Sequence, residues 1–232
     1  MKTLGMIGGT GPESTIEYYR RLIAGYRTRN SEGRAPSIII NSIDNKKLID
    51  SFTANQLDPV TDFLAEEIEK LARAGADFAL IAANTPHLVF DELERRVRIP
   101  MLSIIEATAT AATAAGVRRL ALFGTRFTMH SAMFPESFAR RGIEIVVPKA
   151  DEQEFIHTKY MGELFVGTIR EETRAALLDI VEAMKARDAV DGLILGGTEL
   201  SLILREPMAV GLPVLDTTQI HVDAAIEWML RE

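Results

Sequence analysis

The sequence predicts an α/β protein of two similar lobes, each with parallel strands packed between helices, and a cleft between the lobes. Short apolar runs alternate with longer amphipathic segments, which is the pattern of repeated βα units over a parallel sheet. Corresponding strands in the two halves also end in similar turns that contain glycine, threonine or asparagine. Because open α/β sheets bind ligands beyond the carboxyl ends of their strands, these turns are the predicted binding site.

Each apolar run is interpreted as a strand and each amphipathic segment as a helix. The predicted strands cover residues 3–7, 37–42, 78–82, 101–104, 119–123, 144–147, 192–195 and 214–216. The predicted helices cover residues 12–27, 57–74, 87–96, 105–115, 129–141, 169–186 and 219–231. Gly75, Gly116 and Gly142 stand where C-terminal caps are expected. The lobe boundary is placed near Glu106, which predicts a first lobe of residues 1–106 and 216–232 and a second of 107–215.

The composition is that of an ordinary globular protein, with 47% hydrophobic and 25% charged residues. The net charge is −7 and no long run of Lys and Arg occurs, which argues against a nucleic acid or a membrane surface as partner. No stretch approaches the ~20 apolar residues of a membrane span, and the chain begins with a strand-like segment instead of a signal peptide. We therefore expect a cytoplasmic protein with a small ligand.

The sequence contains no cysteine. It can therefore form no disulfide, no zinc site with thiolate ligands and no thiolate nucleophile. His130, His157 and His221 show no metal-ligand spacing with carboxylates, and no His-Glu-x-x-His motif occurs. We predict no metal.

The turn after the first predicted strand reads GGTGP. Its glycines permit close approach to the backbone, and Pro12 begins a helix whose free N–H groups can hold a carboxylate or phosphate. The turn matches neither the dinucleotide fingerprint nor the phosphate-binding loop. On this motif alone, a βα turn without a ligand is an equally good interpretation.

The turn after the third predicted strand contains Asn84 and Thr85, which offer an amide and a hydroxyl at a strand end. For Thr85 alone, a cap for the helix that Pro86 opens is the favoured interpretation. His87 follows in the first helical turn, where a positive charge is disfavoured, so we expect a neutral imidazole that acts as a base or packs.

Two turns in the second half carry further polar groups. Thr198 and Glu199 follow the run Leu193-Ile194-Leu195, and a helix cap followed by an acidic residue explains both without a ligand. Thr125 lies in the turn GTRFT, where Thr128 is the expected cap and Thr125 and Arg126 can bind a carboxylate. Lys159 can reach a second carboxylate, although a solvated lysine is the default interpretation.

Taken together, the motifs GGTGPEST, NTPH, FGTRFT, GTEL and LDTTQIH resemble the aspartate/glutamate racemase family, in order and over nearly the whole chain. The resemblance implies two Rossmann-like α/β/α lobes related by pseudo-symmetry, a substrate α-carbon between them, no pyridoxal phosphate or other cofactor, and a homodimer. The family uses one cysteine before Asn-Thr and another before Thr-Glu to move the α-proton. Here these positions hold Ala83 and Gly197, so standard two-thiol racemisation is excluded.

The resemblance also implies roles for the residues that remain. Asn84, Thr85 and Thr198 would hold the α-carboxylate of an amino acid such as aspartate or glutamate, with Thr10 and Thr125 nearby. Glu199 would bind the ammonium group or act as a base.

Three activities stay open at this stage. The first is an amino-acid racemase relative with altered catalysis. The second is a lyase or hydrolase that uses Glu199 or His87 with water. The third is an inactive binding protein, natural or engineered. Cysteine restored at both Ala83 and Gly197 is expected to create or increase racemisation.

Overall fold

The computed structural model describes residues 2–30, 33–54 and 56–231. Two compact units are present, Met1–Ile104 with His221–Glu232, and Ile105–Ile220. Strands alternate with helices in both units, so the predicted α/β fold is confirmed. None of the helices within these described ranges is long and apolar enough to cross a membrane.

The first unit has a parallel sheet with helices on both faces. Its elements before the chain enters the second unit are β1 (Leu4–Gly8), α1 (Pro12–Arg29), β2 (Ile38–Ser42), α2 (Lys46–Thr53), α3 (Leu57–Arg73), β3 (Phe78–Ile81), a 3₁₀ helix (Thr85–Val89) and α4 (Phe90–Arg96). The strand order is β2-β1-β3, and Met6 lies opposite Ile40 and Leu80. A parallel bridge from Ala79 to Met101 extends this edge.

Alternation along the strands divides the core of the first unit into two layers, because successive side chains point to opposite faces. Ile7 and Ile81 belong to a buried cluster with residues of α3 and α4. Met6 and Leu80 belong to another with residues of α1 and of the C-terminal segment of the chain, where Phe78 stacks on Trp228 with ring centroids 4.8 Å apart. Strands β1 and β3 are therefore buried on both faces.

The second unit is built around a larger sheet. Its elements are α5 (Ile104–Ala115), β4 (Arg119–Gly124), α6 (Arg126–His130), α7 (Met133–Ala139), β5 (Glu144–Val146), α8 (Ala150–Gly162), a 3₁₀ helix (Leu164–Val166), α9 (Glu171–Asp188), β6 (Gly192–Gly196), α10 (Leu200–Ile203), β7 (Met208–Ala209) and β8 (Leu212–Asp216). The strand order is β5-β4-β6-β8-β7. A last helix, α11 (Thr217–Leu230), passes into the first unit from His221 onward.

The second sheet is parallel except at one edge, where β7 runs antiparallel to β8. The two strands are joined by Val210 and Gly211, which have φ angles of 45° and 78°. A two-residue turn of this kind normally carries Asn-Gly or Asp-Gly, and a β-branched residue at positive φ is unusual. The hairpin was not predicted because its turn lacks this signal.

Several predicted elements are wrong in detail. The strand predicted at 101–104 is reduced to the bridge at Met101, because Ile104 already begins α5. The helix predicted at 129–141 is split into α6 and α7 by Ser131, whose backbone is extended. Helices α2 and α8 were not predicted, whereas the three glycine caps have positive φ as expected.

Helix α9 ends in a strained residue. Its C-cap residue, Ala189, has φ 52° and ψ 39°, a left-handed conformation that costs an alanine about 1 kcal/mol and a glycine little. We expect Ala189→Gly to raise the free energy of unfolding by about 1 kcal/mol, measured by urea denaturation. The matched control is Ala186→Gly, an exposed helical position in α9, which should lower it by about 1 kcal/mol. Equal effects of the two substitutions would contradict this interpretation.

Candidate functional site

The turn that follows β1 requires a glycine at position 9. Gly9 has φ +82°, and a Cβ atom placed on it would lie 2.8 Å from the backbone nitrogen of Ile43 and closer still to the Ile43 carbonyl oxygen. The Gly9 N–H donates to Thr15 Oγ1 at 2.9 Å, and this hydroxyl donates to the Gly11 carbonyl at 3.1 Å. The first turn of α1 therefore holds the loop in place.

Thr10 lies in the middle of this loop, between β1 and α1. Its carbonyl oxygen accepts a hydrogen bond from Asn45 Nδ2 at 3.2 Å, which anchors the backbone. Its Oγ1 atom is buried and makes no hydrogen bond within the described part of the chain. A buried hydroxyl without a partner costs free energy that a polar ligand atom would recover.

Residues 83–85 follow β3, the strand beside β1. Asn84 is buried and Thr85 half-buried. The structure corrects the interpretation of Thr85 as a cap, because Thr85 is the first residue of the 3₁₀ helix and Asn84 holds the cap position. Since β1 and β3 are adjacent parallel strands, Thr10, Asn84 and Thr85 follow the same edge of one sheet.

His87 is buried, and both of its ring nitrogens take part in hydrogen bonds within the first unit. The N–H of Ile104 donates to Nε2 at 3.1 Å, so Nδ1 carries the proton and donates to the Ala83 carbonyl at 3.0 Å. Burial, with a smaller contribution from His221, lowers the pKa of His87 to about 3. The imidazole is therefore neutral, as expected, mainly because it is buried. Its two hydrogen bonds link the backbone of Ala83 to that of Ile104.

His221 makes a similar pair of bonds and was not identified from the sequence as a site residue. Its Nε2 donates to the Leu102 carbonyl at 3.1 Å, and its Nδ1 accepts from the Tyr18 hydroxyl at 2.9 Å. Burial lowers the pKa of His221 to about 4. The rings of His87 and His221 are 6.2 Å apart. Two neutral histidines therefore bind the backbone of segment 102–104 through hydrogen bonds at Leu102 and Ile104.

In the second unit, the turn after β4 is an ordinary capped turn. Thr125 caps α6, because its Oγ1 accepts a hydrogen bond from the Thr128 N–H at 3.3 Å, so the expectation that Thr128 is the cap was wrong. Arg126 forms an exposed ion pair with Glu154 of α8. Both side chains have contacts within the unit that account for their positions.

The turn after β6 contains a buried carboxylate. Glu199 is 2% exposed, and its Oε2 atom accepts hydrogen bonds from the Tyr160 hydroxyl and, at 2.9 Å, from Thr198 Oγ1. The interpretation of Thr198 as a helix cap was wrong, since Glu199 holds the cap position of α10. A carboxylate buried among hydroxyl donors needs more explanation than helix capping supplies.

Tyr160 was not identified from the sequence. It lies on α8, 39 residues before Glu199, and its side chain is buried in the core of the second unit. Burial and the neighbouring Glu199 carboxylate raise the pKa of Tyr160 well above its ordinary value. The phenol is therefore protonated and acts as the donor. Since β4 and β6 are neighbours, Thr125, Thr198 and Glu199 all follow one edge of the second sheet.

The match to a protein-family model decides the family. Residues 7–225 match the model described as Asp/Glu/Hydantoin racemase. The chain belongs to this family.

Individual relatives agree with the assignment. An aspartate racemase homologue from Pyrococcus horikoshii has a solved structure that is 35% identical, with 100% of both chains covered and a TM-score of 0.87. The aspartate racemase of Picrophilus torridus, 23% identical, shares the fold over 99% of this chain and 94% of its own with a TM-score of 0.82. The broad specificity amino-acid racemase of Bacillus subtilis is 25% identical over 150 residues, which span 62% of this chain and 63% of that protein.

The space beside Gly197 is filled by the Tyr160 side chain. A Cβ atom placed on Gly197 would lie 2.9 Å from the Tyr160 hydroxyl oxygen and closer to ring carbon Cε2. A cysteine at position 197, as in the double substitution expected to create or increase racemisation, would therefore require Tyr160 to move. Ala83 is only partly buried.

Lys159 forms an ion pair at the C-terminal end of α8. Its Nζ atom donates to Glu163 Oε1 at 2.6 Å, one turn along α8. Glu163 also accepts from Thr173 Oγ1 at 2.6 Å. This ion pair accounts for Lys159 without a ligand. Within the described residues, no group of three or more His, Cys, Asp or Glu side chains is arranged to hold a metal ion.

Proposed function

We propose that this protein binds a small amino acid, with aspartate and glutamate as the first candidates, through the polar turns at the carboxyl ends of its sheets. The observation that carries the proposal is the buried Glu199 carboxylate beside Thr198 at the end of β6. A carboxylate in such a place is suited to an ammonium group. The names of two relatives, an aspartate racemase homologue and a broad specificity amino-acid racemase, point to the same class of ligand.

Each candidate residue receives a role in this proposal. Asn84, Thr85 and Thr198 hold the α-carboxylate, with the hydroxyls of Thr10 and Thr125 as further donors. The unsatisfied Thr10 hydroxyl supports a polar ligand near β1. A cleft between the two lobes remains a prediction, as do the cytoplasmic location, the homodimer and the independence from cofactors.

Catalysis, where present, runs through Glu199 in this proposal and not through His87 or Lys159. Both nitrogens of His87 are engaged with the backbone, so we give it a positioning role. Lys159 is paired with Glu163. Without cysteine, the two-thiol route is closed. Glu199 accepts the ammonium group, or takes the α-proton of the bound amino acid and returns a solvent-derived proton.

The test combines ligand binding with isotope exchange. Calorimetry with L- and D-aspartate and L- and D-glutamate measures affinity, and NMR in D₂O measures deuterium incorporation at the α-carbon. We expect Glu199→Gln to weaken binding about 10- to 100-fold, because a hydrogen bond to a charged group contributes ~1.5–3 kcal/mol. The matched control is Glu182→Gln, an exposed carboxylate of α9, which should change neither quantity.

The outcomes separate the possible activities. Absence of binding by all amino acids tested would refute the proposal. Product formation without α-exchange would instead indicate a lyase or hydrolase that uses water, and tight binding with neither exchange nor product would indicate a binding protein. Unchanged affinity in Glu199→Gln would remove Glu199 from the site.

A further inference from the structure

Gly197 and Tyr160 are packed so closely that they exclude a side chain at position 197. Tyr160 reaches the turn after β6 from α8, and three of its ring and hydroxyl atoms are the nearest neighbours of the Gly197 Cβ position, the hydroxyl oxygen at 2.9 Å. The Gly197 φ angle is not in the left-handed region, so backbone conformation does not demand a glycine there. The glycine is required by the space that the phenol fills.

The same phenol is bonded to the candidate acid–base group. Its hydroxyl donates to Glu199 Oε2, which also accepts from Thr198 Oγ1. Tyr160 is 5% exposed, and the ring is packed in the apolar core of the second unit. A ring held this firmly fixes the position of its hydroxyl, and through it one oxygen of the carboxylate.

We propose that Tyr160 is the positioning residue of Glu199 and fills the space that a side chain at position 197 would need, so that the acid–base group at the end of β6 is a carboxylate held by a phenol. This inference rests on the proposed function. In the exchange step, Glu199 takes the α-proton, the C–H electron pair stays on the amino acid and is delocalised into its carboxylate, and a deuteron from solvent returns through Glu199. Tyr160 orients the carboxylate oxygen during both transfers and is not itself consumed.

The first test removes the hydroxyl and keeps the ring. We expect Tyr160→Phe to lower the rate of α-deuterium exchange roughly 100-fold, because a small misplacement of the catalytic carboxylate costs that much, while affinity for the amino acid changes less than about threefold. A merely structural role would lower Tm or affinity and would not separate the two kinetic quantities. An exchange rate within threefold of the wild type would overturn the inference.

The second test displaces the ring and keeps its hydroxyl. Gly197→Ala should reduce exchange as Tyr160→Phe does and should lower Tm by roughly 5 °C, because the new methyl group overpacks the site. In a Tyr160→Ala background the same Gly197→Ala change should alter Tm by less than about 1 °C, since the ring is gone. Gly162→Ala on α8 is the control, because its Cβ position is open and neither quantity should fall.

These results distinguish this inference from the function on which it rests. A wild type that binds no amino acid refutes the proposed function, while the two Gly197→Ala stabilities still decide whether the packing pair exists. A wild type that binds without exchange refutes the acid–base role of Glu199 and leaves the proposed binding function standing. Equal Tm losses for Gly197→Ala in both backgrounds would show that Tyr160 is not what excludes a side chain at position 197.

Discussion

Lowering the pH from 7 to 5 is expected to reduce the free energy of unfolding by about 4 kcal/mol, because two buried histidines must stay neutral in the folded chain. The pKa of His87 is about 3 and that of His221 about 4, against 6.5 for the ordinary side chain. Between these values the unfolded state binds more protons, so stability rises with pH. The stability that the two neutral histidines preserve is fully present above about pH 6.5. It is lost progressively as the pH falls toward 4 for His221 and toward 3 for His87. At pH 5 each histidine has lost about 2 kcal/mol.

The hydrogen bonds explain why protonation is so costly. The second proton of His87 would have to sit on Nε2, which faces the N–H of Ile104 at 3.1 Å. A donor would then face a donor in a buried place. On His221 the second proton would sit on Nδ1, which now accepts from Tyr18. Phe90 stacks on the other side of His87, with ring centroids 5.0 Å apart, and offers no compensating charge.

Urea denaturation at pH 7, 6 and 5 measures this effect. In a His221→Asn variant the loss between pH 7 and 5 should fall to about 2 kcal/mol, whatever its stability at pH 7. His130→Gln replaces an exposed histidine of the second unit and should keep the full dependence. A His87→Gln/His221→Asn double variant with the wild-type pH dependence would show that other groups cause the acid sensitivity.

Gly9→Ala is expected to lower the free energy of unfolding by more than about 3 kcal/mol. Two costs combine, the left-handed backbone at φ +82° and the overlap of a methyl group with the backbone of Ile43. Neither the Ile43 carbonyl nor its N–H can move easily, because that N–H donates to the Gly8 carbonyl at 3.0 Å. The loop that carries Thr10 should therefore be displaced, and amino-acid affinity should fall with stability.

Gly75→Ala is the matched control for this prediction. Gly75 lies in the same unit and has φ +99°, yet no atom lies within 4 Å of its Cβ position. It therefore reports the backbone cost alone, about 1 kcal/mol. Chemical denaturation of the two variants side by side gives the comparison. If Gly9→Ala costs no more than Gly75→Ala, close packing against Ile43 is not what demands the glycine.

The elements that were predicted well are those whose burial can be predicted from the pattern of apolar residues. The runs at β1, β3, β4 and β6 are apolar apart from Arg119, as expected for strands covered on both faces, and every other residue of the four strands is buried. Helix α8 was missed because polar and apolar residues are mixed along it, which leaves no clear apolar stripe. The hairpin at Val210 was missed because its turn violates the usual residue preference.

The candidate site divides in the same way. Asn84, Thr198 and Glu199 could be selected as candidates from the sequence, because polar residues directly after buried strands must lie at the carboxyl edge of a parallel sheet. Tyr160 could not be, since it is 39 residues away from Glu199 on a helix that was itself missed. His87 was predicted to be neutral, but its partners Ala83 and Ile104 depend on how segment 102–104 returns to the sheet.

The sequence by itself determined the family, the α/β class and the absence of the two thiols, because these depend on residue identity, order and periodicity. Only the tertiary structure decided that Tyr160 fills the space at Gly197, that Glu199 accepts its hydrogen bond, and that two histidines are held neutral. The physical reason is that close packing and desolvation arise from residues far apart in the chain. Local pattern carries no information on those distances.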